Sequence, residues 1–69
     1  MEFDYSKLKG RIIEKFDSYD NFSKEMGFSK SQLSNRLNNV FEWKQEEIFK
    51  VARVLDLDNL KDYFFTPKQ

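Results

Sequence analysis

The sequence predicts an all-α fold: one compact domain of five short helices spanning residues 1–69. Three observations predict it. Apolar residues recur at helical spacings of three and four along most of the chain. Breakers are scarce, with glycine only at Gly10 and Gly27 and proline only at Pro67, so helices joined by short turns are the natural organisation. A chain of 69 residues has room for a single core.

The first helix is predicted from about Tyr5 to Phe16, with Tyr5, Leu8, Ile12 and Phe16 on one stripe and Asp4 as its N-cap. Gly10 interrupts this helix, at a cost of about 1 kcal/mol against alanine, and its small size invites the close passage of another backbone. A second, short helix covers about Asp20 to Met26, with Phe22 and Met26 on its inner face. Gly27 ends it, because glycine adopts positive φ past a helix end without steric cost. The third helix has the sharpest local signal. Ser29-Lys30-Ser31-Gln32 is a capping box, in which Ser29 accepts from the amide of Gln32 and Gln32 reaches back. Leu33 and Leu37 mark its buried face, and Asn38-Asn39 its end. A loop follows from Asn39 to Trp43, whose Phe41 and Trp43 are expected to fill the core beneath it. The fourth helix covers about Lys44 to Leu55, with Ile48, Val51, Ala52 and Leu55 at i, i+3, i+4 and i+7. Asp58 caps a final short helix carrying Leu60, Tyr63 and Phe64, and Thr66-Pro67-Lys68-Gln69 is expected to fray. The predicted core is Leu8, Ile12, Phe16, Phe22, Met26, Leu33, Leu37, Ile48, Val51, Ala52 and Leu55.

Composition removes several functions. The chain has no cysteine and no histidine, which excludes disulfide frameworks, Cys/His metal sites and histidine catalysis. The acid pairs Glu46-Glu47 and Asp56 with Asp58 need no catalytic explanation, since helix N-termini attract acids through the dipole. No phosphate loop, metal motif or nucleophile–base pair is present; catalytic residues, metals and cofactors are all read as none. No apolar run approaches the roughly 20 residues of a membrane span, and the acidic start is unlike a signal peptide, so a cytoplasmic protein is expected. Twelve basic and twelve acidic residues give zero net charge, so any positive face must arise from folding. Eight Phe, three Tyr and one Trp are abundant for the length. Phe28, Phe49 and Phe65 fall off the inward stripes and are candidates for a subunit interface.

Two short helices flanking Gly27, the second with a sharply defined start, have the spacing of a helix-turn-helix, in which one helix braces and the next enters a DNA groove. Residues 19–38 resemble this unit in the Cro and lambda-repressor-like family. Ser23, four before Gly27, stands where that family packs the two helices closely; Gly27 matches the turn glycine, and Leu33 and Leu37 match buried anchors of the recognition helix. The five-helix layout covers nearly the whole chain. The opening Phe3-Asp4-Tyr5-Ser6-Lys7-Leu8-Lys9-Gly10-Arg11-Ile12, the segment Trp43-Lys44-Gln45-Glu46-Glu47-Ile48 and the ending Tyr63-Phe64-Phe65-Thr66-Pro67 resemble small regulators encoded by phages of Gram-positive bacteria.

The resemblance implies a lambda-repressor-like DNA-binding domain acting in the host bacterial cytoplasm, with helix 29–38 in the major groove of an operator. It implies base reading by Lys30, Ser31, Ser34 and Asn35, with Gln32 contributing. Phosphate contacts would come from Ser29, Asn38, Asn39 and Lys44, and from Tyr19 and Arg11. A homodimer on a palindromic site is the expected assembly. Tyr19 stands where the family often has glutamine, and Asn39-Val40 where it often has glycine or lysine. Neutrality and surplus aromatics support an alternative partner, a phage repressor protein that this chain would bind as an antirepressor or co-regulator.

Overall fold

The computed structural model describes residues 2–69. Five helices follow in order: α1 (Ser6–Phe16), α2 (Tyr19–Met26), α3 (Lys30–Leu37), α4 (Gln45–Leu55) and α5 (Leu60–Phe64). There is no strand among the described residues, only an isolated antiparallel bridge between Phe3 and Pro67. The all-α, five-helix expectation therefore holds.

α1 lies at the centre and packs against α2, α4 and α5. Its Leu8 and Ile12 are fully buried, as are Phe22 of α2, Val51 and Leu55 of α4. These positions share the predicted inward stripes, so burial of each helix's apolar face is what assembles the layers. Tyr5, Met26, Leu33, Leu37, Trp43 and Phe64 complete the core. Phe64 carries the last helix into it: its ring meets Trp43 edge-on at 5.3 Å, a favoured aromatic geometry. Phe16, Ile48 and Ala52, expected in the core, are only half-buried at its rim. Trp43 fills the space beneath its loop as predicted. Phe41 does not; it is 56% exposed.

The caps differ from the sequence expectation in detail. Tyr5, not Asp4, occupies the N-cap position of α1 and offers no side-chain cap. Asp4 acts one residue earlier, with Oδ1 accepting from the Ser6 amide at 2.8 Å and from the Ser6 hydroxyl. Those bonds hold its carboxyl below the usual carboxylate range. α2 begins earlier than predicted, because Ser18 Oγ accepts from the Asn21 amide at 3.1 Å. Asn59, not Asp58, caps α5, accepting from the Lys61 amide. Gly10 was expected to admit a neighbouring backbone, yet a Cβ built there would meet nothing within 4 Å.

The larger correction concerns the termini. The C-terminal segment does not fray. The Asp4 amide donates to the Thr66 carbonyl at 2.7 Å and the Lys68 amide to the Glu2 carbonyl at 3.0 Å. Lys68 also faces Glu2 at 3.4 Å, and the Phe3 and Phe65 rings meet edge-on at 5.7 Å. A third segment joins this clasp. Asn39, at φ 63, accepts from the Phe3 amide through Oδ1 at 3.0 Å and donates through Nδ2 to the Phe3 carbonyl at 2.9 Å. Its side chain thus imitates a backbone peptide and ties the loop after α3 to Phe3, and through Phe3 to the clasp.

Candidate nucleic-acid interface

The unit that presents α3 starts at the end of α2. Gly27 takes φ 76 and its amide donates to the Lys24 carbonyl, while the Phe28 amide donates to the Ser23 carbonyl at 2.8 Å. These bonds satisfy carbonyls that the helix end leaves free, and they require the left-handed residue that glycine supplies. Three residues later the chain is helical again. Ser29 Oγ accepts from the Gln32 amide at 3.1 Å and Gln32 Oε1 accepts from the Ser29 amide at 2.8 Å, so the capping box is formed as read. Two adjacent helix ends are thereby locked, and the angle between α2 and α3 is set by buried contacts. Ser23, 3% exposed, keeps its own hydroxyl satisfied on the Asp20 carbonyl at 2.8 Å and is small enough to let the helices approach.

The two faces of α3 are chemically opposite. Leu33, Arg36 and Leu37 are buried. Lys30, Ser31, Gln32 and Ser34 are exposed and Asn35 is half-buried. Ser31, Ser34, Asn35 and Asn38 lie at i, i+3, i+4 and i+7, one stripe on the outer side. Of these outward groups, Gln32 is engaged in the capping box, and Ser34 Oγ accepts from Asn38 Nδ2 at 3.1 Å. An open groove of about 510 Å³ runs beside the stripe, lined by Tyr19, Asp20 and Ser23 of α2, by Lys30, Leu33, Ser34, Leu37 and Asn38, and by Lys9 of α1. Tyr19 thus sits at the first turn of α2, facing the same opening as Lys30 and Ser34. Lys30 Nζ is 3.7 Å from Asp20 Oδ1 with its side chain 82% exposed. A pair so exposed is worth about 0–1 kcal/mol, and the ammonium is available to an incoming anion.

α3 is anchored from behind by a contact that sequence pattern did not reveal. Arg36 Nε and Nη2 donate to Glu47 Oε1 and Oε2 at 2.9 and 3.0 Å, and Nη1 donates to the Gln32 carbonyl at 2.9 Å. The guanidinium lies 4.6 Å from the centre of the Phe28 ring. Both charged side chains are close to buried, at 10% and 13% exposure. Burial works against the charge on Glu47, but the Arg36 hydrogen bonds and the Lys44 amide outweigh it and hold the carboxyl below its ordinary range. The bidentate pair fixes α3 to the first turn of α4, just after Lys44, which is exposed. Arg36 therefore works inside the fold, as a buried strut between α3 and α4.

The other predicted contact residues separate into two groups. Ser29 and Asn38 cap α3, Tyr19 lines the groove beside it and Lys44 precedes α4; all four are exposed. Two others are engaged within the fold. Arg11 Nε donates to the Leu55 carbonyl at 2.9 Å and its Nη1 pairs with Glu14, which stabilises the C-terminal end of α4. Asn39 spends its amide on Phe3. Among the interface candidates, Phe28 packs on Trp43 at 6.2 Å and under Arg36, Phe65 is 45% exposed within the clasp, and Phe49 is 58% exposed on α4. No helix among the described residues is long and apolar enough to cross a membrane.

Residues 1–67 match the family described as Protein of unknown function (DUF739). No curated protein matches the chain.

Proposed function

The chain belongs to the DUF739 family, and we propose that it is a sequence-specific DNA-binding transcriptional regulator of the phage Cro/repressor type, a lambda-repressor-like helix-turn-helix domain whose α3 enters the major groove of an operator. The observation that carries this is the outward face of α3. It is polar, exposed and short-chained, it begins at a rigidly capped end, and it is flanked by Tyr19 and Lys9. Lys30 supplies donors for guanine O6 and N7, while Ser31, Ser34 and Asn35 pair with several base edges. Tyr19, Ser29, Asn38 and Lys44 fix register on phosphates, with the helix N-terminus contributing its own partial positive charge. Asp20 opposes the approach of phosphate and is the counter-ion that Lys30 exchanges on binding.

Selection of retained sequences from a random duplex library, followed by titration of the enriched duplex, tests the proposal. A consensus half-site should emerge, with affinity falling steeply with salt. Lys30→Ala should cost about 1–3 kcal/mol and relax preference at one base pair. Asp20→Asn should tighten binding by roughly the value of one released charge contact, about 0.5–1 kcal/mol. Retention of no duplex, or equal affinity for enriched and scrambled DNA, overturns it.

A second reading draws on different observations: zero net charge and the exposed Val40 and Phe41, at 61% and 56%. In it the domain is an antirepressor or co-regulator that docks on a phage repressor protein. A complex with that repressor, unchanged when Lys30 and Asn35 are alanine and unaffected by DNA, would favour it over operator binding.

A further inference from the structure

A second opening, of about 520 Å³, lies between the start of the chain, the loop after α3 and α5, and none of the residues proposed to touch bases lines it. Tyr5, Trp43 and Phe64 form its buried wall, and Val40, Phe41 and Phe65 are exposed at its edge. Its charged members are both acids, Glu2 and Glu42; no lysine or arginine lines it. Glu2 is shared with Lys68 at 3.4 Å. Glu42 is exposed and has no ion-pair partner among the described residues. One polar group of the wall is also unanswered: Trp43 is 9% exposed, and its indole Nε1 is buried with no hydrogen-bond partner. We infer that this cleft is a docking site for an arginine side chain flanked by apolar residues, carried on an exposed segment of a partner protein.

The occupant must answer two properties at once, aromatic surface and uncompensated negative charge. Nucleic acid and anionic lipid present phosphates, which the carboxylates repel. A second copy of this chain brings the same acids, so a two-fold contact on this patch sets like charge against like. A purely apolar segment covers the rings but takes water from Glu42 and gives it no partner, which is costly. A cation with apolar neighbours meets both demands. Arginine fits better than lysine, because its planar guanidinium stacks on ring faces and gives a carboxylate two parallel hydrogen bonds. The fold already holds one arginine in this manner: Arg36 lies 4.6 Å from the centre of the Phe28 ring and forks onto Glu47. Burial, and then the charge of Glu42, raise the Tyr5 hydroxyl above its ordinary range, so the field of that carboxylate reaches the wall of the cleft. The unpartnered Trp43 N–H is a cost in the free domain that a backbone carbonyl of the incoming segment would remove. This surface deepens the reading in which the domain docks on another protein, and it rests on that reading.

The chain has one tryptophan, so Trp43 fluorescence reports on the cleft directly. The full chain is titrated with three probes: the capped tripeptide leucine-arginine-leucine, its citrulline counterpart, which has a similar shape without the charge, and butylguanidinium, the cation alone. The arginine peptide should change Trp43 emission saturably, with a Kd of about 1 mM or tighter. The other two probes should bind about tenfold more weakly. Glu42→Lys and Phe41→Ser should each weaken the arginine peptide by about tenfold. Glu25→Lys makes the same charge change at an exposed site on α2 outside the cleft and should bind like the parent. All three positions are exposed, so unchanged circular dichroism serves as the folding control. No saturable change up to about 10 mM, equal affinity for citrulline peptide or butylguanidinium, Glu42→Lys binding like the parent, or an equal loss in Glu25→Lys overturns the proposal. A repressor complex indifferent to both Glu42→Lys and Phe41→Ser overturns this surface and leaves the docking reading standing. Absence of a repressor complex while the arginine peptide still binds counts against that reading alone.

Discussion

Replacing Arg36 with methionine should be among the most damaging changes to this fold that leave the apolar core intact. Methionine keeps much of the side chain's apolar bulk under Phe28 but removes three hydrogen bonds, two to Glu47 and one to the Gln32 carbonyl. It leaves the Glu47 carboxylate at 13% exposure without its counter-ion. Breaking a buried pair by removing one partner typically costs about 3–5 kcal/mol. Glu47 retains the Lys44 amide as a donor at 3.0 Å, which places the expected loss at the lower end, about 3 kcal/mol. For a domain of this length total stability is roughly 3–10 kcal/mol, and the midpoint should fall by about 15 °C. Urea and thermal denaturation followed by circular dichroism at neutral pH read this directly.

The sign of the pH dependence is a second check on the same variant. The Glu47 carboxyl is held below its ordinary value of 4.5 in the fold. Its contribution is therefore fully present above that value and is lost as pH falls through the lower, folded one. In Arg36→Met the opposing burial remains and the charge is no longer supported, so protonation relieves the defect. The gap between parent and variant should be widest near neutrality and should close below about pH 4. Replacing both partners, Arg36→Met with Glu47→Leu, removes the uncompensated charge and should recover all but about 1–2 kcal/mol. A loss under about 1 kcal/mol, or a gap that does not narrow in acid, would refute the assignment of this pair as a buried strut.

Two further changes follow from the fold. Gly10→Ala should stabilise by about 0.5–1 kcal/mol in urea titration, because the residue is exposed within α1 and an added Cβ meets nothing within 4 Å; any loss would mean a contact there that the structure does not show. Asn39→Ala should cost about 2 kcal/mol, from the paired bonds to Phe3 and the left-handed backbone at φ 63. Asn39→Gly should recover the backbone share alone, and amide exchange at Phe3 should quicken in both variants.

What sequence pattern could and could not reveal divides along chain separation. Gly27 and the Ser29–Gln32 box were legible because their partners lie within three or four residues, where residue type nearly determines geometry. The inward stripes of α1 and α4 were legible for the same reason. Helix starts were misplaced by a residue or so wherever several capping residues competed: Ser18 prevailed over the start at Asp20, and Asn59 over Asp58. Asn39 was read as a helix stop, which its φ supports, but its bonds to Phe3 span 36 positions and leave no local trace. The same holds for Arg36 and Glu47, 11 apart. Each looks like an ordinary surface charge until α3 and α4 are brought together. The pinned C-terminal segment was missed because a polar, proline-containing tail has the composition of a loose end, whereas its backbone groups are bonded to residues 2 and 4.

These long-range ties bear on the neutral charge that first counted against a nucleic-acid partner. A net count treats all twenty-four charges as equal, and the fold does not. Arg36 and Glu47 cancel in the interior, and Arg11 with Glu14 and Lys68 with Glu2 cancel away from α3. In the groove beside the outward stripe the count is local: Lys30 and Lys9 against Asp20. A duplex within a Debye length, about 10 Å at moderate salt, feels that local balance more than the total. The capping box, the buried strut and the terminal clasp also make this local balance effective, because they hold the start of α3, its last turn and the loop beyond it. Ordering those groups then takes little further free energy when a ligand arrives. A surface with few cations can discriminate on that basis, by fixed placement of short polar groups where a more basic domain relies on attraction.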